Sequence, residues 1–165
     1  MQALFQFDLR GREYGGEDAV DDDASKLSEA QRVEAVCRAE LRRSEDDDGS
    51  VDRSKLNSSE REVLQFAAKL VLGTLEHKAA IDAKLQSVTR NWDLRRMAAV
   101  DRNVLRMAVY ELMWCADVPH KVAINEAIEI GKKFSTANSG GFVNGILDRI
   151  RIDHSQRADA AIDDR

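Results

Sequence analysis

One proline in 165 residues, Pro119, is the strongest constraint on what this chain can become. Proline interrupts a helix but suits its first turn, and here it separates two stretches of helical period. Before it, Val104, Leu105, Ala108, Val109, Leu112 and Met113 recur at three- and four-residue intervals. After it, Ala123, Ile124, Ala127, Ile128, Gly131 and Phe134 do the same. A β-sandwich would need turn residues roughly every ten positions. The pattern predicts an all-α chain.

A chain of 165 residues can enclose a sizeable core, so one domain is expected over residues 1–152, with a loose tail at 153–165. No apolar run approaches the ~18 residues of a spanning helix. The start, Met1-Gln2-Ala3-Leu4-Phe5, lacks the basic lead of a signal peptide, so the expected location is the cytoplasm. Cys37 and Cys115 lie far apart with no metal or disulfide spacing and read as buried thiols. The net charge of −5 is unevenly placed: residues 1–59 carry 9 Lys/Arg against 15 Asp/Glu, and residues 60–165 carry 16 against 15. Phosphate attraction follows the local field, so a basic face on the second part is compatible with a nucleic-acid partner.

Residues 1–10 read as the end of a helix, broken by Gly11 and Gly15-Gly16. Residues 17–58 form an acidic, partly disordered insert in this reading, because Asp21-Asp22-Asp23 and Asp46-Asp47-Asp48 repel themselves. Within it, Ser28 and Gln31 have capping-box spacing ahead of Val33, Val36, Cys37 and Leu41. Ser59 and Glu62 have the same spacing and open a long core helix through Val63, Ala67, Leu70, Val71, Thr74, Leu75, Ile81 and Leu85. Asp101 is placed to cap the next helix, whose other face shows Arg102, Arg106 and Tyr110, either a docking strip or a solvated surface. The polar loop 135–141 then leads into Val143, Ile146, Leu147 and Ile150 on a last helix.

Catalytic raw material is thin. His77, His120 and His154 have no second ligand at metal spacing and read as solvated or capping histidines. Glu126 and Glu129 sit one turn apart as surface pairs do, leaving a hydrolase built on Glu126 or His120 with little support. Ser139-Gly140-Gly141 is not a phosphate-loop motif. It fits binding better: helix-start amides attract anions, glycine admits a phosphate near the backbone, and an exposed Phe142 would offer a face to an unstacked base. Lys132 and Lys133 could add charge. The plainer alternative makes Phe142 core and Gly140-Gly141 an interhelical turn.

Three blocks carry a resemblance: Val100-Asp101-Arg102-Asn103-Val104-Leu105-Arg106-Met107-Ala108-Val109-Tyr110-Glu111-Leu112, then Val118-Pro119-His120-Lys121-Val122-Ala123-Ile124-Asn125-Glu126-Ala127, then Phe142-Val143-Asn144-Gly145-Ile146-Leu147-Asp148. In order and spacing they resemble the bacterial transcription antitermination factor NusB family. The resemblance implies two small helical bundles packed as one domain, with no enzymatic activity and no cofactor. It further implies binding to the boxA element of ribosomal RNA leader transcripts with the ribosomal protein NusE, inside the RNA polymerase antitermination complex. By this resemblance Gln2, Lys132, Asn138, Ser139, Gly141 and Phe142 fall on the RNA side, and Phe5, Asp101, Arg102 and Arg106 on the partner side.

Two positions depart from the family pattern. An arginine-rich stretch usually precedes the Gln-Ala-Leu block, so a start upstream of Met1 is expected; and Gly141 stands where many members have lysine. The alternatives are a protein-binding helical module without RNA contact, and the NusB-like domain of ribosomal RNA cytosine methyltransferases, for which a chain ending at Arg165 has no catalytic part.

Overall fold

The computed structural model describes Leu4 and residues 28–44, 57–89 and 93–163, and every regular element among them is helical. Gln2, Phe5 and both acidic Asp runs lie outside the described residues. The chain divides into two compact units, residues 2–73 and 74–165.

In the first unit, α1 (Glu29–Ser44) starts with the expected capping box. Ser28 N–H donates to Gln31 Oε1 at 2.8 Å and Gln31 N–H to Ser28 Oγ at 3.3 Å. Val33 and Cys37, one turn apart, are buried, and burial pushes the Cys37 thiol above its ordinary pKa. A helix therefore stands within the segment read as an acidic insert.

The next helix, α2 (Ser58–Glu76), is capped two residues earlier than its sequence suggested. Glu60 N–H donates to Asn57 Oδ1 at 2.9 Å, and Asn57 N–H returns the bond to Glu60 Oε2, so the box is Asn57/Glu60 and not Ser59/Glu62. Asparagine and serine are comparable N-caps, so cap strength alone does not choose between the two boxes. Leu70, Val71 and Thr74 of the expected stripe are buried, but at its start Leu64 takes the inward position and Val63 is 52% exposed; Phe66 is 50% exposed.

In the second unit, the single long helix expected through Leu85 is broken at His77, and α3 runs separately over Lys78–Val88. The His77 ring packs 4.5 Å from Trp114 and 5.6 Å from Tyr110, centroid to centroid. After a 3₁₀ turn at Leu94–Arg96, α4 (Ala99–Trp114) forms the centre of the unit. The helices α3, α5 (His120–Phe134) and α6 (Ser139–Asp163) all pack on it, and residues 101–112 are buried on every side.

A helix enclosed this way must satisfy its polar side chains internally. Arg102 Nη1 donates to the carbonyls of Leu94 at 3.3 Å and Met97 at 3.1 Å, holding the 3₁₀ turn against α4. Arg106 grips Asp82 of α3. The exposed face of Arg102, Arg106 and Tyr110 anticipated from spacing is therefore absent: these residues are 2%, 7% and 8% exposed. Sequence period could not show this, because a period identifies one buried face and here the neighbours cover both.

Two boundaries also differ. The glycines 140 and 141 belong to the first turn of α6, which shortens the connecting corner to residues 135–138. The same helix continues to Asp163 through the stretch read as a loose tail. An Asp148–Arg151 pair at 2.9 Å, the Ser155 hydroxyl on the Arg151 carbonyl at 3.1 Å, and an ion pair from Lys84 to Asp153 hold its second half.

Candidate functional site

Four residues connect α5 to α6, and the corner they form is closed by its own hydrogen bonds. Ser139 N–H donates to the Thr136 carbonyl at 3.0 Å, and Thr136 N–H donates to Ser139 Oγ at 3.0 Å. Phe142 N–H bonds the Asn138 carbonyl at 3.2 Å, starting the α6 ladder. Three amides of the corner are thus already used, a correction to the expectation of a wholly open helix start. Among the described residues no acceptor is bonded to the Gly140 or Gly141 amide. Asn138 and Gly141 are exposed, and a Cβ built on Gly141 meets nothing within 4 Å. That opening admits a ligand to the backbone.

Gly140 has a different reason to lack a side chain. A Cβ there would lie 3.0 Å from Lys132 Cγ and 3.1 Å from Cε, so the lysine stem runs across the glycine. Its ammonium is thereby held beside the corner, where it pairs with Glu129 at 2.7 Å. Lys132 and Lys133 in the last turn of α5 also suit the negative end of the helix dipole.

Two aromatic rings flank the corner. Phe142 is half-buried, so it is neither fully core nor a free platform. Phe134, assigned to the core stripe from its spacing, is instead 50% exposed with Lys133 Nζ 5.2 Å from its ring centre. The stripe of α5 is complete without it, since Ala123, Ile124, Ala127 and Gly131 are the buried positions. The signal that could have found this was the adjoining Lys132-Lys133, which places the end of α5 at the surface.

The residues expected on the partner side are arranged differently. Asp101 does not cap its helix: Ala98 occupies the N-cap, and the Asp101 carboxylate, 8% exposed, accepts from Ser139 Oγ at 3.2 Å. Its Oδ1 has no hydrogen-bond partner among the described residues. Arg102 and Arg106 are committed to the interior bonds given above. Of the two carboxylates noted one turn apart, Glu129 is held by Lys132. The charge of Glu126 instead adds to burial in raising Glu111 to about 7, burial being the larger cause. His120 and His154 approach edge to face at 6.0 Å, and no cluster of three or more metal-ligating side chains occurs among the described residues.

The NusB family model matches residues 1–151. This chain belongs to the NusB family. Transcription antitermination protein NusB of Anaeromyxobacter dehalogenans is 56% identical over 91 residues, covering 55% of this chain and 63% of that protein. NusB of Pelotomaculum thermopropionicum is 52% identical over 86 residues, covering 52% of this chain and 60% of the other. The chain thus spans about three-fifths of the length of these NusB relatives. A solved NusB of T. maritima is 36% identical with a TM-score of 0.54, covering 75% of this chain and 91% of that one. A chain in the crystal structure of a plectonemic RNA supercoil shares the fold, at 22% identity and a TM-score of 0.65, covering 92% of this chain and 88% of that one. The all-α NusB fold anticipated from sequence is the one observed, and no helix among the described residues is long and apolar enough to cross a membrane.

Proposed function

We propose that this chain is a non-catalytic RNA-binding adaptor of transcription antitermination. It takes the boxA RNA of ribosomal RNA leaders together with the NusE ribosomal protein, within the antitermination complex on RNA polymerase. The observation that carries the reading is the α5–α6 corner, where the exposed Gly141, the half-buried Phe142, the exposed Phe134 and two exposed lysines adjoin one another along the chain. Unpaired RNA is gripped by such a set, because backbone N–H groups and ammonium groups take phosphates while aromatic faces take bases. On this reading Lys132, Asn138, Gly141 and Phe142 touch RNA, Ser139 shapes the corner, and Phe134 adds a second ring. Asp101, given to the partner side by the resemblance, is buried and bonded to Ser139 of the corner.

A fluorescence-anisotropy titration tests this, using boxA RNA and a scrambled RNA at two salt concentrations, with and without NusE. Preference for boxA that strengthens with NusE supports the reading. Equal weak binding of both RNAs, with NusE still captured, makes the chain a protein-binding module and sinks the RNA assignment. Phe142→Ala should weaken boxA binding by ~1–3 kcal/mol, the usual worth of one stacked base.

A further inference from the structure

We propose that Asp101 is a positioning residue for the RNA corner: it sets the conformation of residues 135–139 through the Ser139 hydroxyl. The inference rests on the RNA-binding reading above and assigns to that site a residue outside the corner. Asp101 stands in the first turn of α4, 38 positions before Ser139, and both side chains are buried, at 8% and 2% exposure.

The chemistry of the three groups fixes the direction of every bond between them. Ser139 Oγ donates its single hydrogen to Asp101 Oδ2, 3.2 Å away. The lone pairs of Ser139 Oγ then face Thr136. One receives Thr136 N–H at 3.0 Å, and across the 2.9 Å contact between the two hydroxyls Thr136 Oγ1 is left as the donor. The corner is closed by these bonds, and the carboxylate is the terminal acceptor that gives them one sense.

Stability alone does not account for a carboxylate here. Its Oδ1 is buried and has no hydrogen-bond partner among the described residues, an unfavourable arrangement for a polar atom in a core. A group that accepts here gives the network one sense, because a hydroxyl at this position could donate to Ser139 Oγ instead and turn the Ser139 hydrogen toward Thr136 Oγ1. With the turn locked, Asn138 and the amides of Gly140 and Gly141 are presented in one orientation before RNA arrives. Preorganisation of this kind improves affinity by removing the ordering cost from the binding step.

The test compares Asp101→Asn with Asp101→Ala, two variants of equal charge of which only the first keeps a side-chain carbonyl acceptor. Ser139→Ala and the Asp101→Ala/Ser139→Ala double variant complete a cycle. Two readouts are taken on the folded protein: the affinity for a labelled boxA RNA, and hydrogen exchange of the Thr136 amide by NMR, with the Leu105 amide as an internal reference. Asp101→Ala and Ser139→Ala should each weaken RNA binding by about fivefold, the size of one hydrogen bond, and the double variant by no more than either single. Thr136 exchange should accelerate in all three while Leu105 stays protected, and Asp101→Asn, which keeps a carbonyl acceptor but can also turn its NH2 toward Ser139 Oγ, should fall between wild type and Asp101→Ala in both readouts.

Equal binding by Asp101→Asn and Asp101→Ala, or multiplying losses in the double variant, overturns the proposal. If Asp101→Ala fails to fold, Ser139→Ala decides: unchanged Thr136 exchange there also overturns it. A wild-type chain that ignores boxA RNA removes the RNA reading instead, and Thr136 exchange then judges the lock by itself.

Discussion

Arg106 holds Asp82 with two parallel bonds, Nε to Oδ1 at 2.7 Å and Nη2 to Oδ2 at 2.8 Å, tying the central helix α4 to α3. The geometry is bidentate, the strongest arrangement available to an arginine and a carboxylate. The arginine side chain is 9% exposed and the aspartate 29%, so the pair is shielded on one side only. Arg106→Met should therefore cost about 2–3 kcal/mol, below the worst cases for a broken buried pair, because water can still reach the stranded carboxylate. Urea denaturation followed by circular dichroism measures it. A loss under about 0.5 kcal/mol would place the pair among ordinary surface bridges.

Glu111 gives the protein a pH dependence of definite sign. Burial, with a smaller contribution from the Glu126 charge, raises its carboxyl from 4.5 to about 7 in the folded state. The folded protein then binds more protons than the unfolded chain between these values, so stability falls as pH rises through that window. Glu111→Gln should flatten the decline and stabilise the protein at pH 8, by at most about 3 kcal/mol on the scale of 1.36 kcal/mol per pKa unit. Thermal melts of both proteins between pH 5 and pH 8 check the prediction; parallel curves would refute it.

Gly140→Ala separates folding from RNA binding. The added methyl presses on the flexible Lys132 stem and meets Ile128 Cγ2 at an ordinary 3.5 Å, so the fold should change by less than about 1 kcal/mol, helped by the lower entropy of the unfolded chain. The displaced ammonium should then miss its phosphate. Affinity for boxA RNA should drop, and the slope of log affinity against log salt should shrink by ~0.7, the value of one single-strand phosphate contact. An unchanged slope would show that Lys132 makes no such contact.

Asn57→Ala tests the cap of α2. Both bonds of the Asn57/Glu60 box go with it, or lose their geometry, and a loss of about 1 kcal/mol is expected. Ser59→Ala should be nearly silent in the same denaturation experiment. The reverse order would restore the later box.

The all-α fold was legible because Pro119 and two helical stripes leave no other economical arrangement, and the α1 box at Ser28 was read to the residue. What escaped were facts of three-dimensional neighbourhood. Arg102 and Arg106 look like a solvated edge until α3 and the Leu94–Arg96 turn are seen to cover them. Phe134 has the right interval for a core position, yet the stripe ends one turn earlier at Gly131. At the site, helix-start chemistry and the family resemblance pointed to Lys132, Gly141 and Phe142, whereas the bond from Ser139 to Asp101 joins positions too distant in the chain for any spacing rule.

The two thiols have a practical consequence. Cys37 lies in the first compact unit and Cys115 in the second, both are reduced, and both are nearly inaccessible. An alkylating reagent can react with either one only when its surroundings open. Two labelling rates from one unmodified molecule would therefore time the breathing of each half separately, without a dye, a tag or an engineered residue.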